Sequence, residues 1–242
     1  MHPSELWDFD DPGGSEQRFR DSASAAEGEQ RGIWLTQVAR ALGLQERYDD
    51  AHAVIDDLSP DGSPEVAVRL LLEQGRLYRS SGDPDHARPF FEEAAATAER
   101  AGLEELHVDA LHMVALVVPP EEQLAANHAA LAHATAAEDP RAQRWAASLL
   151  NNIGMRHADI GDWGAALAAF EDAVEARQAT GKPSELRIAW WMVAWALRNL
   201  GSTDSALEIQ RRLKAELESV GEEDPYVDEE IEILTSGDTP DP

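Results

Sequence analysis

Asp109 and His112 lie three residues apart, with His107 just before them and His128 and His133 further on, so one stretch of chain concentrates four imidazoles and a carboxylate. The chemistry such a cluster could support is metal binding, and through it metal-assisted hydrolysis. Its spacing matches no strong signature: the helical zinc motif with a glutamate between two histidines is absent. There is no cysteine, which removes disulfides, thiolate zinc sites and cysteine nucleophiles together. A phosphate loop, a dinucleotide glycine fingerprint and a Gly-x-Ser-x-Gly elbow are missing too. Adjacent carboxylates such as Glu92-Glu93 and Glu222-Glu223 diverge around a helix and read as solvated faces. The sequence therefore points away from an enzyme and calls for no metal and no cofactor. Trp191 and Trp195, four apart, share one helical face, while Trp190 points to the packed interior. Exposed, the indole pair would be a hot-spot pocket for an apolar side chain; buried, it would be core beneath a carboxy-terminal helix.

The elements that must position these groups are helices. Of 242 residues 43% are hydrophobic, mostly Ala and Leu, and only 6% are aromatic, which favours helix over strand throughout. A net charge of -27 repels nucleic acid and anionic membranes at long range, and its ordinary role is a well-solvated surface. Met1 to Asp11 is acidic and lacks the basic start and apolar core of a secretory signal. No apolar run approaches the roughly 20 residues a membrane helix needs. The expected location is the cytoplasm.

One segment recurs. Leu71, Gly75, Tyr78, Gly82, Ala87, Phe91 and Ala94 are matched, at the same spacing, by Leu150, Gly154, His157, Gly161, Ala166, Phe170 and Ala173. This pattern resembles the tetratricopeptide repeat, in the bacterial form with units of about 36 to 43 residues. Gly75 and Gly154 fall inside a predicted first helix, where glycine costs about 1 kcal/mol against alanine unless something packs closely on it. Gly82 and Gly161 end that helix, and Asp83-Pro84 and Asp162 start the next. Ala87 and Ala166 are small where the helices cross, and Phe91 and Phe170 fill the hairpin. Weaker copies run through Leu35, Ala39, Leu42, Ala51 and Ile55, and through Trp190, Ala194, Leu197, Gly201, Ala206 and Leu213, where Gln210 replaces the aromatic residue. Residues 104 to 137 form a divergent unit with Gln123 and Asn127 at the Ala and Phe places and an open register. Extra length is expected to prolong helices, as over Pro140 to Ile160, and Pro89 is a candidate kink.

The resemblance implies an all-α chain: an α-solenoid of about five antiparallel helix pairs in a right-handed superhelix, with a C-terminal capping helix. Residues 1–29 form an N-terminal segment, partly disordered or one short helix; 30–221 the array; 222–236 the cap; and 237–242 a disordered tail. It also implies a non-enzymatic protein-interaction module whose first helices line a concave groove that takes a peptide segment of a partner. By register the groove presents Gln37 and Arg40, then Arg69, Arg76 and Arg79, then Asp109 and His112. It continues with Asn151, Asn152, Met155 and Asp159 and ends at Trp191, Trp195 and Arg198. Its arginines would select an acidic or carboxylate-ended peptide through bidentate pairing, and the asparagines could hold peptide backbone. The opposing expectation is that the arginines pair with carboxylates of adjacent helices. Self-association through the Trp-rich end would give a homodimer. A ligand- or peptide-responsive regulatory receptor is the alternative function, and a metal-dependent hydrolase using His107 to His133 the remote one.

Overall fold

The computed structural model describes residues 2–59 and 62–236, so the tail expected over 237–242 falls outside the described residues. Among these residues every regular element is helical. The chain divides into two compact units, 1–142 and 143–242.

Unit 1 opens with a single 3-10 turn, Pro3–Glu5, and a helix α1, Pro12–Ser24. Three hairpins follow: α2 Gly28–Leu44 with α3 Tyr48–Asp56, α4 Pro64–Ser80 with α5 Pro84–Ala101, and α6 Glu104–Ala115 with α7 Pro120–Ala136. A short helix α8, Pro140–Gln143, comes next. Each first helix packs on its partner, α2 and α5 contact the following first helices α4 and α6, and α1 packs on α2. Unit 2 holds two more hairpins, α9 Trp145–Asp159 with α10 Trp163–Thr180 and α11 Pro183–Asn199 with α12 Thr203–Val220, and then α13, Pro225–Ser236, packed on α12.

The hairpin turns follow from local chemistry. Gly82 and Gly161 sit at φ 89° and 76°, the left-handed region that glycine enters without strain. The Asp83 carboxylate then accepts from the His86 amide at 3.2 Å and Asp162 from the Ala165 amide at 3.1 Å, satisfying free N–H groups at the next helix start. Inside the first helices the glycines are where rings arrive. A Cβ on Gly75 would lie 2.7 Å from Cδ1 of Phe91, and one on Gly154 2.6 Å from Cδ1 of Phe170. Both phenylalanines are fully buried. The same sixteen-residue offset joins Ala39 to Ile55 and Ala194 to Gln210. Where alanine replaces the glycine, a slimmer side chain replaces the ring. At Gln210 the exchange leaves a buried amide that reaches no protein hydrogen-bond partner among the described residues.

The structure resolves two open readings and corrects two others. The α1 region contains Gly13 and Gly14 in its first turn yet is helical, because Asp11 caps it, accepting from Gly14 N at 2.9 Å, and Pro12 presets the first helical residue. The long helix expected from Pro140 to Ile160 is broken at Arg144, where α8 ends and α9 begins. The divergent unit keeps the pattern as Leu106, Ala110 and Met113. Its connection, 116–119, is one residue longer than 81–83 or 160–162, which displaces Gln123 and Asn127 by one. Pro89 lies within α5, which runs through it unbroken.

Candidate functional site

In unit 1 the first helices α2, α4 and α6 bring Gln37, Arg40, Arg69, Glu73, Arg76, Asp109 and His112 into one electrostatic cluster. Arg76 is held on two sides. It donates from Nη1 to Glu73 one turn back on α4 and from Nη2 to both Asp109 oxygens on α6 at 2.6 and 2.7 Å. Glu73 is 2% and Asp109 6% exposed, so the network ties α4 to α6 in a largely dry place. Burial opposes the charge on Asp109, yet Arg76, with Arg40 behind it, holds its pKa below the usual carboxylate range. Burial likewise opposes charge on Arg76, and Asp109 and Glu73 more than compensate, raising its pKa. Arg69 is buried and bonded within its own helix to Glu65, Nε to Oε1 at 2.9 Å.

His112 stands beside this network. Burial drives its pKa down to about 4; Asp109 opposes this, and Arg76, Arg79 and Arg40 add to it. Because the folded pKa lies below the ordinary value of 6.5, the neutral ring stabilises the fold fully above pH 6.5, and that contribution is lost as pH falls toward 4. Wild type should lose about 2 kcal/mol more stability than His112→Asn between pH 7 and pH 5, read from urea midpoints. Equal losses would contradict the assignment.

Arg40 and Arg79 differ from their neighbours. Arg79 is exposed. The Arg40 guanidinium carbon lies 5.5 Å from the ring centre of Trp7 and 5.7 Å from that of Phe9. Those rings stack on each other at 4.8 Å with an interplanar angle of 3°, and Trp7 Nε1 donates to Gln37 Oε1 at 2.8 Å. Residues 6 to 10 therefore lie on the α2 residues assigned to the groove. Nearer the start of the chain, His2 reaches Glu105 on α6 at 3.1 Å, beside a cavity of about 280 Å³ also lined by Ile33 and Arg69.

Unit 2 places its candidates differently. Arg198 makes a bidentate pair with Glu230 on α13, at 2.9 and 3.0 Å, with both side chains at least nine-tenths buried. Trp195 packs edge-on to Trp163 at 4.8 Å and stacks with Trp191 at 6.3 Å, and Trp191 Nε1 donates to the Tyr226 carbonyl at 3.4 Å. Trp190 lies under Arg212 at 4.3 Å. All three indoles are partly buried, and Met155 packs against the same core as Phe170. Asn151 and Asn152 are half-buried, and the Asn152 amide nitrogen is enclosed with no protein acceptor among the described residues. A mostly apolar cleft of about 580 Å³ opens among Ile188, Trp191, Met192, Leu213, Leu217 and Tyr226.

The His107 and His133 rings meet edge-on at 4.7 Å, and among the described residues no group of three or more His, Cys, Asp or Glu is placed to hold a metal ion. Also among them, no helix is long and apolar enough to cross a membrane.

The family model described as "Tetratricopeptide repeat" matches residues 75–101 and 146–180, the two hairpins built on Gly75 with Phe91 and Gly154 with Phe170. The chain carries tetratricopeptide repeats. These repeats have solved counterparts. BtubC (BKLC) from P. vanneervenii is 17% identical with a TM-score of 0.62, covering 100% of this chain and 95% of that one. A Rap protein complexed with competence and sporulation factor is 16% identical with a TM-score of 0.68, covering 93% and 65%. The apo form of the quorum sensor NprR from B. thuringiensis is 12% identical with a TM-score of 0.65, covering 94% and 64%. At these identities the likeness shows the tetratricopeptide fold, and the chain spans just under two thirds of the Rap and NprR chains. No curated protein matches the chain in sequence.

Sequence reasoning missed the carboxylates that take up the arginines, Glu65, Glu73 and Glu230, and it missed Trp7 and Phe9. A signal for the last two existed: paired aromatics two apart in an acidic segment outside the repeat.

Proposed function

We propose that this chain is a non-enzymatic interaction module that holds a peptide segment of a partner protein, and that in unit 1 the α2, α4 and α6 face is the contact surface. One observation carries this reading. Arg69 and Arg76 are consumed by internal carboxylates, whereas Arg40 and Arg79 on the same side of the tetratricopeptide hairpins have none within ion-pair distance among the described residues. Two such guanidiniums in a chain of net charge -27 are suited to the carboxylates of an acidic or carboxylate-ended peptide. A solved structure of this fold is NprR in complex with its cognate peptide NprX, which supports a peptide-sized partner.

Arg76 is unsuited to testing this, since reversing its charge would break the link to Asp109. The informative variant is Arg40→Glu with Arg79→Glu. Peptides selected on the wild-type full chain from a displayed random library should bind it at least about tenfold more weakly, with far-ultraviolet circular dichroism unchanged. Undiminished binding to a folded variant would sink the proposal.

A second reading, a regulator that answers a small ligand, draws support from the 580 Å³ cleft in unit 2, whose volume falls within the range of ordinary ligand sites.

A further inference from the structure

Arg40 follows Ala39 as Arg76 follows Gly75, so the two arginines hold the same place on successive first helices. Arg76 is answered by Asp109, the residue just before Ala110 on α6. The equivalent residue on α4, just before Gly75, is Gln74. A neutral amide stands where the acceptor carboxylate would be, which accounts for the absence of an ion pair at Arg40. Its contacts are instead the rings of Trp7 and Phe9.

The segment carrying those rings is held by side chains, and Leu6 and Trp7 pack against the core around Phe19. Residues 6 to 10 form no helix or strand. Side chains of α1 secure the backbone: Arg18 Nε donates to the Leu6 carbonyl at 2.9 Å, the Asp8 amide donates to Ser15 Oγ at 2.9 Å, and Ser15 Oγ donates back to the Asp8 carbonyl at 2.8 Å. Trp7 also meets Phe19 edge-on at 4.9 Å, whereas the Phe9 ring, 58% exposed, packs between Trp7 and solvent. Asp8 and Asp10 alternate with the aromatics and are exposed. A bound peptide has this arrangement: one anchored indole with a second ring stacked over it, solvated aspartates between them, and the backbone met by polar side chains.

We propose that Leu6 to Asp10 is a resident stand-in for an external ligand, and that the α2 surface around Gln37 and Arg40 is a docking site for a partner's acidic peptide bearing two aromatic residues separated by one. This rests on the reading of the unit 1 face as an interaction surface and names the class of peptide it takes. The incoming rings would stack beside Arg40 as Trp7 and Phe9 do, with an indole N–H given to Gln37. Acidic flanks are tolerated because the local face carries Arg40, Arg69, Arg76 and Arg79 against Glu65, Glu73 and Asp109. A segment tethered this closely competes at millimolar effective concentration, so it lowers the apparent affinity of a partner by the fraction of time it is docked.

The probe is a fluorescein-labelled peptide of residues 4–11, SELWDFDD, titrated into the full chain and read by fluorescence anisotropy. Trp7→Ala with Phe9→Ala in the chain should bind it about tenfold more tightly than wild type. Adding Arg40→Gln should remove that gain, and a peptide with alanine at both aromatic positions should not bind. Phe9→Ala alone, which removes the exposed ring and spares the contact of Trp7 with Phe19, should raise affinity about threefold, so the test survives a double variant that fails to fold. A folded opened variant that binds SELWDFDD no better than wild type overturns the inference, as does tight binding indifferent to Arg40. If that variant holds library-selected peptides without paired aromatics through Arg40, this inference fails and the interaction surface stands. If no peptide depends on Arg40 or Arg79, both fail.

Discussion

Gly154→Ala is expected to destabilise the protein by about 2 kcal/mol, although alanine is the better helix former by about 1 kcal/mol. The added methyl would press on the Phe170 ring, with its Cβ 2.6 Å from Cδ1, and Phe170 is fully buried. The ring cannot retreat without moving its own neighbours, so overpacking outweighs propensity. Phe170→Leu in the Gly154→Ala background should recover part of the loss, because the smaller side chain vacates the space the methyl needs. The measurement is a double-mutant cycle by urea denaturation; purely additive effects would show that the pair is not the cause. Gly75→Ala should behave alike against Phe91, since a Cβ there would lie 2.7 Å from the ring's Cδ1.

Glu230→Ala should cost about 3 kcal/mol or more. Its bidentate bonds to Arg198 are 2.9 and 3.0 Å long, and removing the carboxylate would leave a guanidinium at 10% exposure without its partner. The cost belongs mainly to that stranded charge. Replacing both residues, Arg198→Met with Glu230→Leu, should therefore return stability to within about 1 kcal/mol of wild type. Amide hydrogen exchange would add a spatial reading, with protection lost first in α13 in the single variant. If single and double variants are equally unstable, the pair is not what secures α13.

The glycine and phenylalanine pairs were legible because their information is local: helix ends, caps and a close crossing are all encoded within one hairpin. Phe91 and Phe170 announce the space that Gly75 and Gly154 must leave. The fate of the arginines was not legible. Whether Arg76 faces solvent depends on Asp109, 33 residues away, being brought against it by the stacking of one hairpin on the next, which the sequence of a single hairpin does not state. Glu230 escaped for the same reason. Trp7 and Phe9 alternate with Asp8 and Asp10, but that short pattern does not say what the rings pack against, so it does not place the segment along α2. The break at Arg144 is likewise invisible to periodicity, which runs on through Pro140 to Ile160.

The two buried arginine–carboxylate pairs share a direction: in unit 1 α4 donates to α6, and in unit 2 α11 donates to α13. At these two places stacking has a grammatical order, the arginine demanding an acid from a helix further along the chain. The helix α13 contains neither lysine nor arginine, and among its acids Glu230 completes the preceding phrase. It thus accepts a guanidinium and offers none, answering without asking.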